Sequence, residues 1–267
     1  MKLLIIRHGD PDYKNDSLTD KGWREAEYLA ELLAKKFEKQ GSAPDTLQGT
    51  DAQDTAHTDE QGTTYFYTSP YGRAQDTASL TLKKLGRTAE VMPWLREFDV
   101  FIHRPDDPGR MRIPWDWLPQ DWTADPKLYE KDQWYENERI APSEVWAEYR
   151  KVAEGLDALL AKHGYRREGG YYRAERPNRD TIVLFCHFGV SSVLLSHLWN
   201  VSPMVVWHGF CALPTSITTL VTEERRKGIA SFRMLAYGET THLYVNGESP
   251  SFSARFCECY DDDTRHD

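Results

Sequence analysis

Long apolar runs are missing from this sequence of 267 residues. No stretch approaches the roughly 20 apolar residues that a membrane-spanning helix needs. The apolar run before Arg7 is also too short for the hydrophobic region of a secretory signal peptide. The sequence therefore predicts neither a membrane partner nor a secreted protein.

Positive charge and cysteine are scarce as well. The chain has 33 lysines and arginines against 42 aspartates and glutamates, which gives a net charge of −9. This balance excludes a sequence-wide basic surface for nucleic acid, so an anion site must be a local cluster of cations. The four cysteines are too few for a disulfide framework, and the pair Cys257 and Cys259 lacks a second ligand pair at zinc-site spacing. We therefore expect a reduced, cytoplasmic protein without a metal site.

The apolar residues fall into alternating strand-like and helix-like segments. Residues 2–7 (KLLIIR) suit a short strand that is covered on both faces. Thr19 is the predicted N-cap of the helix that follows, in which apolar residues recur at helical spacing. Further strands are predicted at 63–70, 89–92, 181–188, 216–222 and 231–237, and further helices at about 73–84, 143–162 and 191–199. Strands that alternate with helices predict an α/β fold with a mostly parallel central sheet.

Four segments lack this regular pattern. Residues 41–62 are rich in Gly, Asp, Thr and Gln and are predicted to form a surface excursion. Residues 98–142 combine four tryptophans with six prolines, which predicts an irregular, aromatic-packed insertion, either as a wall over a pocket or as a subunit interface. Residues 166–180 are predicted to be a polar loop, and residues 257–267 an acidic, frayed tail.

Cationic side chains follow three of the predicted strands. Arg7 and His8 end the first strand, Arg73 follows the second, and His187 ends a later one. Ligands of such sheets bind beyond the carboxyl ends of the strands, so these residues are expected to meet at one edge.

Five sequence motifs share a family resemblance. They are RHG at 7–9, LTDKGWREA at 18–26, SPYGRAQDTA at 69–78, the glutamate of WLREFD, and CHFG at 186–189. In this order they resemble the motifs of the histidine phosphatase superfamily, the phosphoglycerate mutase-like proteins. The resemblance implies one domain over residues 1–267, built as a three-layer α/β sandwich, and a phosphohistidine on His8.

The chemistry of the same residues fits a phosphate monoester. Arg7, Arg73 and a protonated His187 would clamp the phosphate, since arginine is suited to bidentate binding of a dianion. His8 is the candidate nucleophile, because a neutral imidazole offers one unprotonated nitrogen. Glu97 is the candidate general acid, although Glu90 and Asp99 lie nearby in the sequence. Further substrate contacts are expected from His103, Arg104, Arg110 and Arg112, and His242 is expected to be structural. No cofactor is needed in this scheme.

The sequence also departs from the family pattern. Only eight residues, DPDYKNDS, separate Gly9 from Leu18, and Asp10 replaces the Glu or Gln that usually follows RHG in the family. Asn15 is out of register with the family's usual asparagine. These differences favour a hydrolase of a small phosphorylated substrate over a mutase. A phosphotransferase, a phospho-ligand binding module and a phosphoprotein phosphatase stay open as alternatives, and so does a homodimer.

Overall fold

The structure is a computed structural model that describes residues 1–37, 62–253 and 255–266. The predicted excursion at 41–62 lies outside the described residues except for its last residue. Within the described ranges, an eight-stranded sheet is flanked by helices on both faces. The α/β fold that the sequence predicts is confirmed.

The strands of the central sheet are β1 (Lys2–Arg7), β4 (Thr64–Thr68), β5 (Glu90–Val91), β8 (Tyr165–Glu168), β9 (Tyr171–Ala174), β10 (Thr181–Cys186), β11 (Ile217–Arg226) and β12 (Ile229–Glu239). Two small ribbons are formed by β2 (Pro11–Asp12) with β3 (Ser17–Leu18) and by β6 (Ile102–His103) with β7 (Met111–Arg112). The helices are α1 (Asp20–Phe37), α2 (Gly72–Leu85), α3 (Pro119–Trp122), α4 (Val145–Lys162), α5 (Phe188–Trp199), α6 (Pro203–Gly209) and α7 (Thr241–Tyr244).

The central sheet is mixed rather than mostly parallel. Its order is β5-β4-β10-β1-β11-β12-β9-β8, and the first four strands run parallel to one another. The remaining neighbours in the sheet, β1–β11, β11–β12, β12–β9 and β9–β8, pair in antiparallel fashion. Two of these pairs, β11–β12 and β8–β9, are hairpins, and tight turns can join only antiparallel strands.

The hairpin β8–β9 corrects the prediction of a polar loop at 166–180. Gly169 turns between the two strands with φ of +59°, a conformation that suits glycine. Arg173 pairs across the turn with Glu168 at 2.9 Å, and the Tyr172 side chain is buried. A Gly-Gly turn between aromatic and charged residues is therefore a hairpin that adds the last two strands to the sheet.

Strand β1 shows why its apolar run is continuous. Leu4 and Ile6 pack into a core with α1 and α2 on one face of the sheet. Leu3 and Ile5 point to the other face and join the core that contains α4 and α5. Both faces of the strand are covered, so the three-layer architecture fixes the backbone that leads to residues 7 and 8.

Residues 98–142 form short ribbons and turns that pack through aromatic side chains. Trp134 is buried, with its ring 5.1 Å from Tyr149 of α4 and 6.3 Å from Trp207 of α6. Trp115 of the same segment lies 5.9 Å from Trp207. Each such aromatic pair contributes about 0.5–1.5 kcal/mol beyond burial of its area. This packing fixes the segment against the helices on one face of the sheet.

None of the described helices is both long and apolar enough to cross a bilayer.

Candidate active site

Three adjacent strands bring Arg7, His8, Arg73 and His187 to one edge of the sheet. Arg7 ends β1 and His8 follows it, while His187 directly follows β10 as the N-cap of α5. Arg73 lies in the first turn of α2, after β4. Since β4, β10 and β1 are parallel neighbours, their carboxyl ends meet. All four side chains are buried, between 0% and 8% exposed.

The His8 ring is held in one tautomer. Its Nδ1 lies 2.7 Å from the carbonyl oxygen of Gly9. A carbonyl can only accept, so Nδ1 carries the proton and Nε2 is the unprotonated nitrogen. Burial lowers the pKa of His8 well below its usual range, and the charges of Arg7 and Arg73 lower it further. His8 is therefore neutral and able to act as a nucleophile.

Both arginines are fixed by protein oxygens. Arg7 donates from Nη1 to the carbonyl of Ala212 at 2.6 Å and to that of Ser253 at 3.4 Å. Arg73 Nη1 pairs with Asp16 Oδ1 at 2.6 Å. The buried Nε atoms of the two arginines have no hydrogen-bond partner among the described residues. Buried donors without a partner favour the binding of an anion.

His187 faces His8, with a distance of 5.0 Å between the ring centroids. Its Nε2 lies 2.7 Å from the hydroxyl of Ser69, which also accepts from the backbone N–H of Tyr71. Burial is the main cause that lowers the pKa of His187 well below its usual range, and His8 and the arginines add to it. The sequence led us to expect a protonated His187, whereas burial, with a smaller contribution from its neighbours, favours the neutral ring. A bound dianion would raise the pKa again.

Glu97 reaches the N-terminus of α5. Its Oε1 accepts hydrogen bonds from the backbone N–H of Phe98 at 2.7 Å and of Val190 at 3.0 Å. Burial raises the pKa of Glu97, while these hydrogen bonds and the charge of Arg7 act in the opposite direction. A carboxyl group with a raised pKa keeps its proton to higher pH, as a general acid requires.

The other acids near Glu97 in the sequence are engaged elsewhere. Asp99 accepts a hydrogen bond from the Tyr71 hydroxyl at 2.6 Å and pairs with Arg96 at 3.2 Å. Glu90 pairs with Lys162 at 3.0 Å. Of the three acids, Glu97 is the one whose carboxyl group contacts the N-terminus of α5, next to His187.

The four further candidates of the 98–142 segment have different surroundings. Arg104 is buried and pairs with Asp106 at 2.6 Å, so its charge is already balanced. His103 is exposed and lines a pocket described below. Arg110 is exposed and Arg112 is half-buried. Contacts of these residues with a substrate stay a prediction.

His242 contacts the His8 backbone through Thr215. Its Nε2 is 3.0 Å from the hydroxyl of Thr215, whose backbone N–H donates to the carbonyl of His8. Burial lowers the pKa of His242 to about 4. The neutral ring thus supports the loop beneath His8, in the structural position expected for it.

Asp16 is a site residue that sequence reasoning missed. One carboxylate oxygen pairs with Arg73 and the other accepts the Gly72 N–H at 2.7 Å. Asp16 has φ of +46°, a conformation that Asp and Asn adopt more readily than most residues. The Asp-rich loop DPDYKNDS was the available signal, but nothing in its spacing showed that it would reach α2.

Glycines allow the first loop to approach α1 closely. A Cβ on Gly9 would lie 2.8 Å from the carbonyl oxygen of Gly22, closer than packed atoms tolerate. The Gly9 N–H also donates to the Thr77 hydroxyl at 2.9 Å. The RHG, LTDKG and SPYGRAQDTA motifs therefore contact one another directly.

No group of three or more His, Cys, Asp or Glu side chains that could hold a metal ion occurs among the described residues.

Comparison with solved structures shows the same fold in several phosphatases. A phosphoserine phosphatase of Entamoeba histolytica has a TM-score of 0.52 at 17% identity, covering 91% of this chain and 98% of its own. A mycobacterial glucosyl-3-phosphoglycerate phosphatase has a TM-score of 0.51 at 20% identity, covering 89% and 98%. The protein described as mycobacterial hydrolase 2 has a TM-score of 0.52 at 22% identity, covering 95% and 93%. At these identities the likeness shows the fold.

Comparison with curated proteins found no match. The model of the histidine phosphatase superfamily (branch 1) matches residues 52–234, which is more than half of the chain. This chain therefore belongs to the histidine phosphatase superfamily.

Proposed function

We propose that this protein is a metal-independent phosphatase that hydrolyses a small phosphate monoester through a phosphohistidine on His8. The observation that carries the proposal is the buried, neutral His8, whose Nε2 is left unprotonated by the Nδ1 contact with Gly9. Arg7, Arg73 and the neighbouring His187 surround it with donors for phosphate oxygens. The names of the Entamoeba and mycobacterial phosphatases of this fold support the same reaction class.

In the first step, Nε2 of His8 attacks phosphorus and the bond to the leaving-group oxygen breaks. The leaving alkoxide takes the proton of Glu97 and departs as an alcohol. General acid catalysis of this kind contributes roughly 10²–10⁴ in rate. The arginines stabilise the negative charge of the transferring group, which is dispersed over its oxygens in the transition state.

In the second step, the Glu97 carboxylate takes a proton from water and the resulting hydroxide attacks phosphorus. The bond to Nε2 breaks, which regenerates neutral His8 and releases inorganic phosphate. The N-termini of α2 and α5 face the site and add partial positive charge for the phosphate in both steps.

The test measures phosphate release from p-nitrophenyl phosphate and a panel of phosphorylated metabolites, with EDTA present. We expect wild type to turn over and His8→Ala to lose activity on the order of 10⁴-fold or more, as for loss of other catalytic nucleophiles. His163→Ala is the matched control, because His163 is also a buried histidine but bonds to Tyr67 away from the clamp. Equal activity of His8→Ala and wild type would refute the proposal.

Two other functions would give different results. A phosphotransferase would release little phosphate from wild type but would form a phosphorylated product when a sugar-acid acceptor is added. A binding module would bind phosphate without turnover in either assay. The intact set of Arg7, His8, Arg73 and His187 favours the phosphatase over the binding module.

A further inference from the structure

A pocket of about 750 Å³ lies in the 98–142 segment and its junction with α4. Pockets that bind small-molecule ligands typically measure about 300–1,000 Å³. Its walls are mainly apolar and include Val100, Phe101, Ile102, Met111 and Pro142. Phe101 and Met111 remain 51% and 49% exposed. Large apolar side chains left exposed around a concave surface indicate a binding site for an apolar group.

Tyr71 lies between this pocket and the group formed by Arg7, Arg73 and His187, which is called the clamp. The Tyr71 ring lies 5.4 Å from the His187 ring and 4.8 Å from Cζ of Arg73. Its hydroxyl donates to Asp99 at 2.6 Å, and Asp99 lines the pocket. One tyrosine side chain therefore spans the distance between the phosphate-binding residues and the pocket wall.

The chain direction after Glu97 leads to the same place. If Glu97 protonates the leaving oxygen, that oxygen lies beside its carboxyl group, at the N-terminus of α5. Residues 99–103, which follow Glu97 closely in the sequence, form one wall of the pocket. A leaving group that extended away from Glu97 along this segment would reach the pocket wall.

The charges at the pocket rim limit the chemistry of its occupant. Glu138 and Glu144 are exposed at the rim, and the charge of Asp99 is shared with Arg96. Arg139 is the arginine among the lining residues. The acidic excess disfavours a second anionic group at the far end of the substrate, since like charges repel.

We propose that this pocket binds the leaving group of the substrate, and that the preferred substrates are phosphate monoesters of uncharged, apolar alcohols. The inference rests on the proposed phosphatase activity, because it assigns the substrate class of the same site.

The experiment compares kcat/KM for 1-alkyl phosphates from ethyl to octyl. Their leaving groups have similar chemistry, so chain length is the variable. Burial of each methylene contributes about 0.8 kcal/mol, which corresponds to roughly fourfold in kcat/KM per carbon until the pocket is filled. We expect a rise of two- to fourfold per carbon for wild type. An octyl chain that ends in a carboxylate should lose most of this gain.

Phe101→Ser removes one apolar wall of the pocket and should flatten the dependence of kcat/KM on chain length. Leu235→Ser is the matched control, since Leu235 is 65% exposed on β12 and does not line the pocket. The control should keep the wild-type slope. A wild-type rate that is independent of chain length, or an equal slope in Phe101→Ser, would overturn the inference while leaving the phosphatase proposal intact.

A binding measurement separates the two proposals completely. Alkyl phosphonates, which cannot be hydrolysed, are titrated calorimetrically into wild type and Phe101→Ser. Affinity that rises with chain length in wild type alone would support the pocket even if no substrate were turned over. Affinity that is independent of chain length would overturn it.

Discussion

Glu97→Gln tests the general acid without disturbing its surroundings. The glutamine side-chain oxygen can still accept from the backbone N–H groups of Phe98 and Val190, which now bond to Glu97 Oε1. The substitution removes only the carboxyl proton and the charge of its conjugate base. Effects on folding should therefore be small, and a loss of rate would report on proton transfer.

The size of the loss should depend on the leaving group. An alkoxide needs a proton to depart, so we expect kcat/KM for alkyl phosphates to fall roughly 10²–10⁴-fold, equal to about 3–5 kcal/mol of transition-state stabilisation. The p-nitrophenolate anion is stable without a proton, so formation of the phosphohistidine from p-nitrophenyl phosphate should be nearly unaffected. A pre-steady-state burst of p-nitrophenol followed by slow turnover is the expected signature, because the proposed mechanism also has Glu97 activate the water in the second step.

The pH profile provides a second readout. Burial raises the pKa of Glu97 above its usual value. Activity of wild type on alkyl phosphates requires the protonated form, so it should decline as pH rises through that raised pKa. Glu97→Gln should lack this decline. Glu90→Gln is the control, since the Glu90 carboxylate pairs with Lys162 on the surface. The general-acid role would be refuted if Glu97→Gln slowed phosphohistidine formation from p-nitrophenyl phosphate as much as it lowered kcat/KM for alkyl phosphates.

Three further substitutions test residues that hold the loop after β1 and the Arg73 side chain in place. Asp16→Asn removes the charged partner of Arg73. Because a charged hydrogen bond of this kind contributes about 1.5 kcal/mol, kcat/KM should fall roughly tenfold. An unchanged kcat/KM would contradict the role of Asp16. Burial raises the pKa of Glu25 from 4.5 to about 7, so the folded state favours the protonated carboxyl group. The free energy of unfolding should therefore fall by about 3 kcal/mol as the pH rises from 4.5 to 7. Urea unfolding of Glu25→Gln at several pH values should lack this fall in the free energy of unfolding. The same pH dependence in Glu25→Gln and wild type would contradict the prediction. Gly22→Ala places a Cβ against the backbone of the loop that follows β1 and should lower the free energy of unfolding in urea by about 1–3 kcal/mol. Gly209→Ala, where the added Cβ meets no atom within 4 Å, should leave the free energy of unfolding unchanged. Equal stabilities of the two variants would contradict the close approach.

The sequence predicted the positions of the long elements well. Strand β1 and the start of α1 after Thr19 were recognisable because apolar periodicity and capping act over a few residues. The sheet was predicted as mostly parallel, because the sequence shows that strands exist but not which of them pair. The hairpin at 165–174 was missed since its polar and charged residues masked a short Gly-Gly turn.

The candidate site was predicted where its residues stand in motifs at strand ends. His8 and His187 were located in this way, and the structure brings their rings together. Asp16, Ser69 and Tyr71 act through contacts between segments that are distant in the sequence. Such contacts depend on how the loops fold over the sheet, and no local pattern encodes them.

The central position of β1 has a consequence for how the protein is made. Leu3 pairs with Ile182 on one side of the strand and with Leu220 on the other. A ribosome that adds about 5–20 residues per second needs roughly 10–40 s to supply those partners after β1 is made. During this interval the apolar strand has no sheet to join, and its exposed edges can pair with other chains. The yield of folded protein should therefore rise with chaperone capacity during translation.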